Sequence, residues 1–161
     1  MRMISFYIAV IATVFAFSTS AKADAEITAI YKVSADKLWD LVEFHKPSEN
    51  IMPPIESSKL TGNGVGAIKL NNLKGGGELV LQLVYFSPQS KAYNYVIRTS
   101  PLPLKNYVGQ VRVEDLGNNR SKLTWSSVFE PKGVEKAKAD EIVDGFYKSI
   151  ISRIGETFTK E

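Results

Sequence analysis

The side chains best placed to do chemistry in this chain are phenols. Six tyrosines follow the first 23 residues, and the predicted strands put five of them, Tyr31, Tyr85, Tyr93, Tyr95 and Tyr107, on one face. Successive strand residues point to opposite sides of a sheet, so this face also carries Leu81, Leu83, Ile97, Val111, Leu123, Trp125 and Phe129. The other face takes Lys32, Gln82, Asn94, Arg98, Arg112, Glu114, Thr124 and Ser126, which leaves the tyrosine side without charge. Rings tipped with hydroxyls make either a satisfied core or the wall of a small-molecule cavity. For any single ring, core packing is the ordinary role. Five buried phenols with no charged partner would be costly to satisfy in a dry core, however, so ordered water or a polar ligand is expected among them. The ligand-binding candidates are therefore Leu81, Leu83, Tyr85, Tyr93, Tyr95, Tyr107 and Trp125, with Trp39 as a lip and Phe146 from the last helix.

Other chemistry is thin. His45 is the only histidine, and a loop imidazole near a cavity mouth could act as general base near neutral pH. No partner for it is visible, and no serine sits in a nucleophile-elbow sequence. His45 is thus the one catalytic candidate outside the tyrosines, of which Tyr95 and Tyr107 could handle protons. The absence of cysteine excludes disulfides, thiolate metal sites and thiol nucleophiles. One histidine without cysteine argues against zinc, and Asp140, Glu141 and Asp144 lie on a helix with no calcium loop, as a solvated face. Gly75-Gly76-Gly77 lacks the lysine and hydroxyl residue of a phosphate loop and reads as a turn. No metal and no cofactor is expected.

Arg2, the apolar run from Ile4 to Phe17 and the small residues ending in Ala21-Lys22-Ala23 have the order of a secretory signal peptide cleaved after Ala23. The run is also shorter than the ~20 residues a spanning helix needs. A periplasmic or secreted domain over residues 24–161 is expected, and its length suits one core. Without Arg2 and Lys22 the charge falls to eighteen basic against seventeen acidic residues, so no basic stripe suggests nucleic acid. A monomer or weak dimer is expected.

Alternation predicts strands over Ala25–Val33, Glu56–Leu60, Gly66–Leu70, Glu78–Phe86, Lys91–Thr99, Leu104–Asp115 and Ser121–Glu130. Ser34 stands where an N-cap belongs, ahead of a short helix carrying Leu38, Trp39 and Val42. A second short helix near Ser48–Met52 is stopped by Pro53 and Pro54. Gly62-Asn63-Gly64, Asn71-Asn72, Gly75-Gly76-Gly77 and Gly117-Asn118-Asn119 mark turns too short for helical crossovers, so the sheet is antiparallel. From Val134 to Phe158 the spacing of Ala139, Ile142, Val143, Phe146, Ile150, Ile154 and Phe158 is helical, with Gly145 read as a site of close packing. This order gives an α+β fold in which a curved seven-stranded antiparallel sheet wraps a long C-terminal helix.

Several segments carry a resemblance. Val33-Ser34-Ala35-Asp36-Lys37-Leu38-Trp39, Met52-Pro53-Pro54-Ile55-Glu56, Leu102-Pro103-Leu104-Lys105-Asn106-Tyr107, Leu123-Thr124-Trp125 with Phe129-Glu130-Pro131, and Asp144-Gly145-Phe146-Tyr147 resemble the SRPBCC superfamily. Within it the match is to the START-like, polyketide cyclase/dehydrase-like group, which implies the helix-grip fold. Its exported members include accessory proteins of periplasmic methanol oxidation, which this chain resembles in leader and layout. The chain departs from the group at Ile51, where tryptophan is frequent, and at Leu81, near a frequent glutamate.

The residues favour an exported, non-catalytic protein holding a small hydrophobic or aromatic molecule, or a lipid, in an internal cavity. The resemblance implies a polyketide cyclase or dehydratase as one alternative. An accessory protein with a periplasmic oxidoreductase partner is another.

Overall fold

Seven runs of alternating residues pair into one antiparallel sheet in the computed structural model, which describes residues 22–161. The expected leader falls outside the described residues except for Lys22 and Ala23. The strands are β1 (Ala25–Tyr31), β2 (Ile55–Thr61), β3 (Ile68–Leu73), β4 (Glu78–Ser87), β5 (Ala92–Thr99), β6 (Leu104–Gly117) and β7 (Arg120–Pro131). Their order is β1-β7-β6-β5-β4-β3-β2, so β2 to β7 form a meander and β1 adds beside β7. Helix α1 (Ala35–Val42) and a 3₁₀ turn (Ser48–Asn50) follow β1, and α2 (Lys136–Gly155) closes the chain. The α+β helix-grip architecture is the one observed.

Local chemistry sets these boundaries. The Ser34 hydroxyl accepts from the Lys37 amide at the start of α1. In the β6–β7 hairpin, Asn118 and Asn119 take φ of 53° and 56°, the left-handed pair that a two-residue turn requires and asparagine tolerates. Asn71 and Asn72, expected to turn, instead lie inside β3, where they pair with Ser58 and Ser57 on one side and Leu79 and Glu78 on the other. The reversal comes later, over residues 74–77.

The stripe of α2 that meets the sheet is Ala139, Val143, Tyr147, Ile150, Ile151 and Ile154. Tyr147 and Ile151 were not expected there, while Ile142 and Phe146 sit half-buried at its edge. Gly145 is not closely packed: a Cβ built on it meets no atom within 4 Å. Gly145→Ala should therefore stabilise the protein by about 0.5–1 kcal/mol through helix propensity alone, measurable as a raised urea midpoint with unchanged slope. A loss of stability would mean that the helix needs the glycine for packing.

Bulges bend the sheet, and one of them overturns an expectation. Between Leu83 and Tyr85 the β4–β5 register shifts, Leu83 facing Tyr95 and Tyr85 facing Asn94. The extra residue reverses the alternation. Tyr85 therefore points outward, 46% exposed beside exposed Val84, and Phe86 turns inward in its place.

Candidate ligand cavity

Burial on the concave face pushes every inward phenol above its ordinary pKa: Tyr31 to about 12, and Tyr93, Tyr95, Tyr107 and Tyr147 well upward. All five are neutral donors at physiological pH. Tyr31 donates to the Ile151 carbonyl of α2 at 3.1 Å, and Tyr93 to the Val42 carbonyl at the end of α1 at 3.1 Å. The other three form a row. Tyr107 and Tyr147 hydroxyls are 2.7 Å apart, Tyr95 and Tyr107 hydroxyls 3.4 Å, and the Trp125 indole N–H donates to Tyr95 at 3.0 Å. The phenols thus satisfy one another and the helix carbonyls, and the expected dependence on water or ligand is largely removed. Three hydroxyl hydrogens serve two links in this row, and the buried Ser127 hydroxyl beside Tyr107 and Tyr147 is the acceptor at hand for the third.

The row is positioned by an absence. Gly109 on β6 lies directly across from Tyr95 on β5, and the Tyr95 ring folds over it: a Cβ on Gly109 would stand 2.3 Å from Cζ and 2.6 Å from the hydroxyl oxygen. Only glycine leaves room for the ring, a strand use of glycine that sequence reasoning had not singled out.

Between the sheet and the first half of α2 lies an apolar cavity of about 30 Å³. Leu79, Leu81, Tyr95, Ile97, Leu104 and Tyr107 line it from the sheet, Ile142, Val143 and Phe146 from the helix, and Met52 and Leu102 from connecting segments. Room of this size suits about one or two waters, well short of the ~300 Å³ of a ligand pocket, so a larger guest requires the walls to part. Gly145, between lining residues Val143 and Phe146, weakens α2 at that point.

Of the nine expected ligand-binding residues, Leu81, Tyr95, Tyr107 and Phe146 line this cavity. Leu83, Tyr93 and Trp125 are buried core side chains behind it. Trp39 is half-buried over Phe86 and Tyr93, ring centroids 6.0 Å from each, and Tyr85 faces outward.

Charge also reaches the concave face. Lys69 on β3 is 5% exposed and Asn71 is fully buried. The Lys69 ammonium donates to the Lys46 carbonyl at 2.7 Å and lies 4.8 Å from the centre of the Phe44 ring. Burial pulls its pKa down to about 8, against the opposing pull of Glu43 and Glu49. Nor does His45 lack a partner: its Nδ1 is 2.9 Å from Glu43. Its Nε2 is buried without a hydrogen bond, and its ring packs edge-on against Phe86 at 4.7 Å. It is not among the residues lining the cavity.

The fold is shared with solved proteins. An uncharacterized protein from Bacillus thuringiensis aligns with a TM-score of 0.76 at 25% identity, over 83% of this chain and 96% of its own. The protein XoxI from Bacillus cereus aligns at 0.77 and 24%, covering 83% and 94%. Norcoclaurine synthase from Thalictrum flavum, solved with dopamine and hydroxybenzaldehyde, aligns at 0.64 and 18%, covering 94% and 96%. No curated protein matches the chain. Residues 22–158 match the family described as polyketide cyclase / dehydrase and lipid transport, and the chain belongs to that family within the SRPBCC superfamily.

Proposed function

We propose that this is an exported binding protein that holds a small apolar or aromatic molecule, or a lipid, between its sheet and α2. The observation that carries the reading is the cavity itself: apolar walls with two phenol hydroxyls, Tyr95 and Tyr107, and no acid–base pair among the residues that line it. Such a lining can solvate an apolar body and sets two phenol oxygens beside it. The family description, which includes lipid transport, agrees. Export is supported by the charged, apolar and small-residue order of residues 1–23.

A cyclase or dehydratase reading gains one specific observation, the His45–Glu43 pair. Its ring packs edge-on against Phe86 and His45 lies outside the cavity lining, so a proton transfer to a guest there would require the loop to move. The accessory reading draws on the XoxI likeness, which concerns the fold.

Native mass spectrometry of the protein purified from the export compartment tests the proposal. Bound protein should carry a small apolar adduct lost on denaturation, retained equally in His45→Ala. Conversion of an added polyketide-like substrate that disappears in His45→Ala would replace binding with catalysis.

A further inference from the structure

On β3 the sequence pattern and the fold disagree. Ile68 and Leu70 are only half-buried, while Lys69 and Asn71 turn to the concave face and are nearly or fully buried. The pairing with β4 enforces this: Lys69 lies directly across from Leu81, and Asn71 from Leu79, and both leucines line the cavity. Directly paired residues share a face, so a cation and an amide share the concave face with the cavity's sheet wall, next to residues that line the cavity but not among them.

Neither group is satisfied. Among the described residues Asn71 finds no hydrogen-bond partner for Oδ1 or Nδ2, although both atoms are buried. Lys69 can donate three hydrogens, uses one on the Lys46 carbonyl, and has no carboxylate within salt-bridge distance among the described residues. Ser58, across β2 from Asn71, is already taken by the Ser48 amide and Glu49. A buried amide without a partner, next but one to a buried ammonium with a single acceptor, is costly unless something polar completes them. What completes their donors must accept two hydrogens from Lys69 and at least one from Asn71 Nδ2, and a negative charge would supply the counter-ion that Lys69 lacks.

The geometry points to a polar subsite, Lys69 with Asn71, that receives the carboxylate of a ligand whose apolar body occupies the cavity. The inference rests on the binding reading above and narrows it to acids. Two oxygens of a carboxylate can take the free hydrogens of both groups, and its charge supplies the counter-ion that Lys69 lacks, while Asn71 Oδ1 needs a donor such as a water held beside the ligand. Glu43 and Glu49 lie near enough to act on Lys69 and oppose a second negative charge, so the subsite discriminates by hydrogen bonds as well as by charge.

The test compares octanoate with 1-octanol at pH 7, followed by tryptophan fluorescence or calorimetry. The account expects wild-type protein to bind octanoate at least about tenfold tighter than octanol. Lys69→Met should remove that preference and leave octanol affinity within about twofold. If both probes bind but octanol binds as well or better, the polar groups hold only water and the subsite is overturned while the cavity reading stands. If neither binds, both fall. A preference that survives in Lys69→Met and in Asn71→Leu would place the anion elsewhere. Should Lys69→Met fail to fold, Asn71→Leu reads the same preference, and the wild-type ratio stands without either variant.

Discussion

Gly109→Ala should cost about 3 kcal/mol or more, a large effect for one methyl group. The added carbon would stand 2.3 Å from the Tyr95 ring, a contact that no relaxation of bond angles can absorb. The ring can retreat only toward the cavity. It is 5% exposed and lies between the rings of Tyr93 and Tyr107 with centroids 6.0 Å away on each side, and its hydroxyl oxygen accepts the Trp125 indole hydrogen. Any rotation that clears the methyl breaks the links to Trp125 and Tyr107 and pushes the phenol into the cavity. Urea unfolding measures the loss, and a double-mutant cycle assigns it: in a Tyr95→Leu background the same substitution should cost less than half as much. Equal costs in the two backgrounds would show that Gly109 is needed for the backbone of β6 and not for the ring.

The second large effect is a dependence on pH. The folded pKa of Lys69 is lowered from 10.5 to about 8 by burial, so below pH 8 the ammonium is charged in both folded and unfolded chains. Between about 8 and 10.5 the unfolded chain keeps the proton that the folded protein has released. The unfolded state then binds more protons, and stability rises with pH across that window. Above it both states are neutral. The total is on the order of 3 kcal/mol, and Lys69→Met has no such titration. Wild-type stability should therefore gain on that of Lys69→Met as pH rises from about 8 to 10.5, with no relative change between pH 6 and 7. A difference that stays flat across the alkaline window would mean that Lys69 is not desolvated. A buried cation kept at a cost in stability is consistent with a binding role.

Much of the fold could be read from residue types because local and tertiary preferences agree over most of the chain. Ser34 caps α1, the asparagine pair turns the β6–β7 hairpin, and the inward alternation of Tyr93, Tyr95 and Tyr107 holds. The failures are instructive in kind. Tyr85 faced the wrong way because a bulge depends on how β4 meets β5, and no residue in β4 announces it. Tyr147 was overlooked because Phe146 fits the same helical spacing, and one step of 100° decides which ring reaches Tyr107. Lys69 and Asn71 were hidden for a different reason: alternation on β3 offers two parities, and the apolar one loses to the register imposed by Leu81 and Leu79. At the cavity, four of nine expected residues line the wall, since strand alternation separates faces but cannot say which part of a face is covered by α2.

Whether the space between sheet and helix opens to hold an apolar molecule is tested most directly by methyl NMR during titration with 1-octanol and, separately, indole. Saturable shifts are expected at the methyls of Leu79, Leu81, Ile97, Ile142 and Val143, the residues facing one another across the cavity. Shifts confined to exposed Val65, Val84 and Val108, or the absence of any saturable shift, would contradict it.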